Sequence, residues 1–221
     1  MEITYKIGDL FNLLPEDGIK IIPHICNDVG GWGSGFVVPL GKKFPMSKNC
    51  YRDWHKHGVC HDVLGEKYFG LGEVQIVDCG NNVIVANMIA QHSTITRKPG
   101  SIPIRYWALA KCLQEIKKLS CRINATIHAP MFGSGLAGGD WDFIETLIQE
   151  AWTNANIPVT IYQLEQPTTL TDYIALVEKG GPDSEEAKDF LRTHGNDPRF
   201  LRQAKTVRKI WQWRLPPHKR K

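Results

Sequence analysis

This chain has no paired cysteines, no long apolar run and no low-complexity stretch, and each absence removes a class of protein. Its six cysteines, Cys26, Cys50, Cys60, Cys79, Cys112 and Cys121, include no CxxC pair. A chain of 221 residues can bury a full core without covalent staples, so these scattered thiols read as reduced. No apolar run approaches the roughly 18 to 20 residues that span a bilayer, which argues against a membrane partner. Residues 1–6 alternate polar and apolar side chains and Gly8-Asp9 follows at once, unlike a secretory leader. A soluble, cytoplasmic protein is the expectation. Neither glycine-rich stretch fits the P-loop or the dinucleotide fingerprint, because no Gly-Lys-Ser/Thr follows and no acidic ribose residue is suitably placed. His55, His57, Cys60 and His61 are ligand types at tight spacing, but they lack the paired second half of a structural zinc site. They are read as a solvated loop, and no metal or other cofactor is expected.

Hydrophobic side chains make up 42% of the chain and aromatics 10%, enough for one core and a small appendage. The net charge of +4 is unevenly spread. From Glu165 onward there are twelve Lys/Arg and eight Asp/Glu, whereas the residues before it hold fifteen of each. All the excess therefore sits in a tail, and the chain divides into residues 1–165 and a basic helical extension, 166–221, with Gln166-Pro167 at the boundary.

In the larger part, strands are predicted over 2–6, 20–24, 73–78, 83–88, 126–130 and 159–164, each bounded by turn residues. The pair 73–78 and 83–88, joined through Cys79-Gly80-Asn81-Asn82, is an antiparallel hairpin. Phe36, Val37, Leu40 and Phe44 recur at helical spacing, 46–57 is a second helical stretch, and Pro103 opens an amphipathic helix running to Leu119. Asp140 caps a further helix carrying Phe143, Leu147, Ile148 and Ala151. Strands alternating with helices, plus one hairpin, imply an α/β fold: a three-layer α/β/α arrangement with a mixed central sheet. In the extension three short helices are expected. Thr169 caps 170–179, which Gly180-Gly181 ends; Ser184 caps 185–193, with Gly195 beyond; Asp197-Pro198 opens the last, which Pro216-Pro217 stops.

Two glycine loops lie between a strand end and a helix: Gly30-Gly31-Trp32-Gly33-Ser34-Gly35 and Gly133-Ser134-Gly135-Leu136-Ala137-Gly138-Gly139. Glycines let main-chain amides approach a ligand, and the following helix adds positive dipole potential. Ligands of open α/β sheets bind at the carboxyl edge of the strands, where both loops fall. Two such loops suggest a diphosphate gripped from both sides.

The order of motifs then resembles the macro domain family over residues 3–164: Gly8-Asp9-Leu10, the His24-x-Cys26-Asn27 glycine loop, Asn87-Met88-Ile89-Ala90-Gln91-His92, Ala129-Pro130-Met131-Phe132-Gly133-Ser134-Gly135-Leu136 and Tyr162-Gln163-Leu164. The likeness is to the branch of ADP-ribose-1″-phosphate phosphatases and terminal ADP-ribose glycohydrolases, not to the branch with an Asn-Ala-Ala-Asn loop. It implies that ADP-ribose or an ADP-ribosylated substrate is the partner. Asp9 and the Leu10 amide would meet adenine, unless Asp9 serves only its turn. Gly31, Trp32, Gly33, Ser34 and Gly35 on one side, and Gly133, Ser134, Gly135, Leu136 and Ala137 on the other, would wrap the diphosphate. Asn27 and Asp28 would lie at the distal ribose; Phe132 and Tyr162 are either ring contacts or core.

Lysine-dependent glycohydrolases of this branch attack the anomeric carbon with a lysine that an aspartate assists. Gln91 and Ala137 stand at those positions here, which argues against that route. His24, Asn27 and Asp28 remain as the catalytic candidates, with His92 and Asp140 as further acid–base groups. They would support water-mediated hydrolysis of a phosphate monoester or an ADP-ribosyl bond. His24 is read equally well as a satisfied buried histidine, and a non-catalytic reader of ADP-ribose is the alternative function. Cys26 has no neighbour in sequence that would activate it.

The last predicted helix sets Arg199, Arg202, Lys205 and Lys209 on one side and Phe200, Ala204, Val207 and Trp211 on another, with no acidic residue from 198 to 221. Such a surface attracts nucleic acid or an acidic partner, and Trp211 and Trp213 are of a type that stacks on bases; packing or self-association is the other reading.

Overall fold

A computed structural model describes residues 1–94, 102–164, 168–194 and 198–214, without the side chains of 168, 169, 198, 199 and 212–214. Two compact units are formed, Met1–Leu164 and Glu165–Lys221. Among the described residues no helix is long and apolar enough to cross a membrane.

The first unit runs β1 (Thr4–Ile7), α1 (Leu10–Leu13), β2 (Lys20–Asn27), α2 (Val37–Lys43), α3 (Pro45–His57), β3 (Val59–Asp62), β4 (Gly65–Tyr68), β5 (Val74–Asp78), β6 (Val83–Gln91), α4 (Tyr106–Ile123), β7 (Thr126–Pro130), α5 (Trp141–Ala151) and β8 (Val159–Gln163). Six strands form one mixed sheet in the order β1-β8-β7-β2-β6-β5. All neighbours are parallel except β5 on β6, whose hairpin turns through Asn81 and Asn82, both at positive φ.

Alternation along the strands sends neighbouring residues to opposite faces. Ile21, Ala86 and Ile161 pack with Leu109, Leu113 and Ile116 of α4 and Ile144 and Ile148 of α5. Ile22, Val85 and Tyr162 pack on the other face with Leu10, Leu40 and Tyr51. Helices thus cover both sides. β2 lies near the middle of the sheet and is buried along almost its whole length. Its register with β6 slips between Cys26 and Asn27, so that Asn27 faces Gln91. Such a bulge re-aims side chains, and here it does so at the strand end beside the first glycine loop.

Local chemistry explains the helix ends. Pro45 occupies the first turn of α3, and Gly58 closes it in the left-handed conformation with φ 74°. Asp140 caps α5, accepting from the Phe143 amide at 3.1 Å. The helix predicted from Pro103 begins instead at Tyr106, because Ile104 is extended and bridges Gln91. The stretch read as a solvated loop is also ordered otherwise: His55 and His57 complete the last turn of α3, and Cys60 and His61 belong to β3 of a small antiparallel hairpin. Short β3, β4 and α1 carry too little periodicity to be seen in sequence.

The second unit holds α6 (Thr168–Gly180), α7 (Glu185–His194) and α8 (Pro198–Arg214). Leu170, Tyr173, Val177, Ala187, Phe200 and Ala204 form its core, with Phe190, Val207 and Trp211 packed against it. Ser184 caps α7 through the Ala187 amide at 3.3 Å. Arg202, Lys205 and Lys209 are exposed on α8, while Arg208 pairs with Asp183 of the α6–α7 turn. The expected boundary at Gln166-Pro167, the Thr169 cap, Gly195, Asp197, the Arg199 and Trp213 side chains and the Pro216-Pro217 stop lie outside the described residues.

Candidate functional site

Both glycine loops emerge at the carboxyl edge of the sheet, one after β2 and one after β7. They face each other. A side-chain carbon built on Gly35 would stand 3.4 Å from Leu136 Cδ1, and a single cavity of about 750 Å³ has both loops in its wall. Gly31, Trp32, Gly33, Ser34 and Gly35 line one side; Phe132, Gly133, Gly135, Leu136 and Ala137 line the other. The volume suits a drug-sized or dinucleotide-sized ligand.

What the loops present is main chain. The amides of residues 32–36, and those of 133–137, donate to no other described residue. Unpaired N–H groups are rare where a fold can pair them, and two runs of them beside one cleft are a donor set of the kind that anions use. The Ser134 hydroxyl takes no place in the wall. It donates to the Met131 carbonyl at 3.0 Å and braces the second loop.

The first loop is shaped by Asn27. Its Oδ1 accepts from the Gly31 amide at 2.8 Å and the Val29 amide at 3.1 Å, and its Nδ2 donates to the Gly31 carbonyl at 2.8 Å. From α3, the Tyr51 hydroxyl donates to the Asn27 carbonyl. Asn27 borders the cavity, but its amide is spent on closing the turn.

His24 sits beneath, 1% exposed. Asn87 donates through Nδ2 to the Ser47 carbonyl and to Gln75 Oε1, so its Oδ1 accepts from His24 Nε2 at 2.6 Å. That assigns the Nε2–H tautomer. Burial lowers the His24 pKa to about 4, against the hydrogen bond to Asn87, which raises it. A neutral, locked imidazole under the Trp32 ring (5.3 Å between centroids) is a floor group, and the structure favours this reading over the acid–base one. Cys26 beside it is buried, with its pKa raised well above the usual thiol value by desolvation. It is an inert thiol at neutral pH.

Asp28 is tied to a different histidine. Its Oδ2 lies 2.7 Å from His92 Nδ1, and its Oδ1 accepts the Ser93 amide at 2.7 Å. The carboxylate is largely covered and the His92 ring is more than half exposed. Gln91 and Thr94, on either side in sequence, line the cavity. Asp28 is thus a group that orients His92 and is not itself part of the wall. Among the described residues the Asp140 carboxylate bonds only the start of α5, as its cap.

Asp9, Leu10 and Tyr162 also lie outside the wall. Asp9 Oδ1 caps α1 through the Phe11 amide at 2.9 Å, and Leu10 is buried. The Tyr162 hydroxyl is engaged with His128 Nδ1 at 2.9 Å and with the Leu13 carbonyl at 3.4 Å, a core role. The start of α1 nevertheless stands at one end of the cavity, because Phe11 stacks on the lining residue Phe36 at 5.5 Å.

No family model matches the chain. Among solved structures, the macrodomain protein from Streptomyces coelicolor is 38% identical, with a TM-score of 0.60 over 73% of this chain and 99% of that one. The chain belongs to the macrodomain family. Two curated relatives are an ADP-ribose 1″-phosphate phosphatase of Candida albicans, 28% identical over 67% of this chain and 92% of its own, and the human ADP-ribose glycohydrolase OARD1, 26% identical over 73% and 91%.

In this macrodomain Gln91 and Ala137 both line the cavity, at the positions where the sequence resemblance puts a lysine and an aspartate in other members. Gln91 Nε2 donates to the Ser93 carbonyl at 2.8 Å. Among the described residues no lysine, aspartate or glutamate is in the cavity wall. Its one permanent cation among the described residues is Arg52 of α3, which no sequence motif marks, any more than one marks Thr94. Arg52 lies in an ordinary charged helix, and only folding shows that it borders the first loop.

Proposed function

We propose that this macrodomain binds ADP-ribose through its diphosphate and hydrolyses ADP-ribose-1″-phosphate or an ADP-ribosyl bond by direct attack of water. The observation that carries the proposal is the pair of amide runs, 32–36 and 133–137, that find no acceptor among the described residues and belong to two loops lining one cavity, whose described wall contains no carboxylate. Fixed donors of this kind hold a diphosphate without reorganisation, and an acid-free wall does not repel it. The likeness to a phosphatase and a glycohydrolase of this nucleotide supports the same ligand.

For the chemistry, His92 is the residue whose geometry fits proton transfer. Asp28 orients its ring through Nδ1, and the more than half exposed ring lies in sequence between cavity-lining Gln91 and Thr94 without itself being a lining residue. With ADP-ribose-1″-phosphate, a water oxygen bonds to phosphorus as the bond from phosphorus to the ribose oxygen breaks. Nε2 takes the proton from that water and returns one to the departing oxygen, giving ADP-ribose and inorganic phosphate. His24 and Asn27 shape the floor and first loop under that reaction.

Calorimetric titration with ADP-ribose, followed by phosphate release from ADP-ribose-1″-phosphate, tests this. No heat at millimolar ADP-ribose would overturn the binding claim. Tight binding with no turnover of the phosphate ester or of ADP-ribosylated protein would leave a reader.

A further inference from the structure

The loops already provide what a diphosphate needs, yet a guanidinium stands in the same wall. Arg52 is exposed, forms no ion pair or hydrogen bond with another described residue, and is free to bend toward a ligand.

Its neighbours on α3 fix which end of the cavity it serves. One residue before it, Tyr51 holds the Asn27 carbonyl. Three residues after it, His55 packs at Gly30, where an added side-chain carbon would fall 2.6 Å from His55 Nδ1. One turn earlier, Lys48 lies by Gly41, against which the Trp32 indole nitrogen packs. Arg52 therefore stands level with Gly30, Gly31 and Trp32. Across from Gly31 is Thr94, whose Cγ2 would be 2.9 Å from a carbon on Gly31. Asn27 also packs at Gly31, and Asn27, Gln91 and Thr94 line the cavity together with Arg52, whereas the start of α1 stands by Phe36.

Resting on the reading of the site as one for ADP-ribose, we infer that Arg52 determines specificity: it binds a phosphate monoester carried beyond the distal ribose. The site thus selects ADP-ribose-1″-phosphate over ADP-ribose and over conjugates uncharged at that position. A planar guanidinium matches phosphate oxygens two at a time, which a lysine does not. Among the described residues the wall contains no carboxylate to hold Arg52 back or to repel a second anion, which leaves its charge available to a ligand.

The test compares two ligands on the full chain: ADP-ribose and its non-hydrolysable 1″-methylenephosphonate, each titrated into wild type, Arg52→Ala and Arg52→Lys. Wild type is expected to bind the phosphonate at least tenfold more tightly than ADP-ribose. Arg52→Ala should erase that preference while ADP-ribose affinity stays within about twofold, and Arg52→Lys should retain part of it. An unchanged thermal midpoint in Arg52→Ala, expected of an exposed residue, excludes misfolding. Equal loss of both ligands would overturn the inference by making Arg52 a diphosphate contact, and so would a preference that survives Arg52→Ala or is absent from wild type. Failure of wild type to bind either ligand would instead refute the reading of the whole site.

Discussion

Asp28 and His92 meet across the ends of two adjacent parallel strands, carboxylate Oδ2 to imidazole Nδ1 at 2.7 Å. The β2–β6 register makes the contact, because the slip after Cys26 sets Asn27 opposite Gln91 and brings the next residue of each strand together. A histidine oriented by a covered carboxylate, with its second nitrogen unpartnered among the described residues, is the arrangement expected of an acid–base group.

His92→Ala should therefore lower kcat for phosphate release by about 10²- to 10⁴-fold. Its effect on the affinity for ADP-ribose should be slight. Asp28→Asn, which removes the oxygen that orients the ring, should lower kcat in the same direction by less. Steady-state kinetics beside calorimetry separates the two effects, and an unaltered kcat in His92→Ala would remove it from the mechanism.

Gly135→Glu should abolish ADP-ribose binding and leave the fold intact. A side-chain carbon at this position meets nothing within 4 Å, and the backbone is not left-handed there. The new carboxylate would occupy and repel the diphosphate position. Retained affinity would show that the second loop does not hold phosphate.

At Gly30 the opposite outcome is expected. Its φ is +71° and an added carbon would lie 2.6 Å from His55 Nδ1. Gly30→Ala should cost about 1 to 2 kcal/mol from the left-handed backbone alone, and more from the clash. Chemical denaturation measures it, and a loss below about half a kcal/mol would contradict the geometry.

Stability should fall as pH drops from about 6.5 toward 4. Burial lowers both His24 and His128 to about 4, with Lys6 and Lys20 adding to the effect on His128. In that window the unfolded chain binds protons on these rings and the folded chain does not, so stability is full above 6.5 and declines below it. For His24 the full effect is on the order of 3 kcal/mol. Denaturant midpoints at pH 7.5 and 4.5 should differ, and His24→Gln should flatten part of the slope. A pH-independent midpoint would mean that these rings are charged in the folded state.

A chain ending at Leu164 should fold and bind ADP-ribose with undiminished affinity. Among the described residues the two cores of the first unit contain none beyond that point, and the second unit has a core of its own. Circular dichroism and calorimetry on the shortened chain provide the check, and loss of binding would assign the extension a part in the site.

Much of the architecture was legible because its signals are local. Ile21 and Ile22 announce a strand covered on both faces, Leu109, Leu113 and Ile116 announce one stripe of a helix, and Asp140 announces a helix start. The two loops could be read because glycine marks where main chain must come close to a ligand. Less visible were the tasks of individual side chains. His24 looks like an acid–base group until burial and Asn87 show a neutral ring, and Tyr162 looks like a ligand contact until its hydroxyl is found on His128.

The sequence by itself determined the strand and helix periods, the order of motifs, the absence of a lysine at position 91 and of an aspartate at 137, and the division of charge between the two parts of the chain. Those properties depend on residues close along the chain. Tertiary structure alone decided that residues 32–36 and 133–137 share a cavity, that Asp28 meets His92 and that Arg52 borders the first loop. Such contacts join segments tens to a hundred residues apart, and their distances are set by strand order, register and helix packing, which no single stretch of sequence encodes.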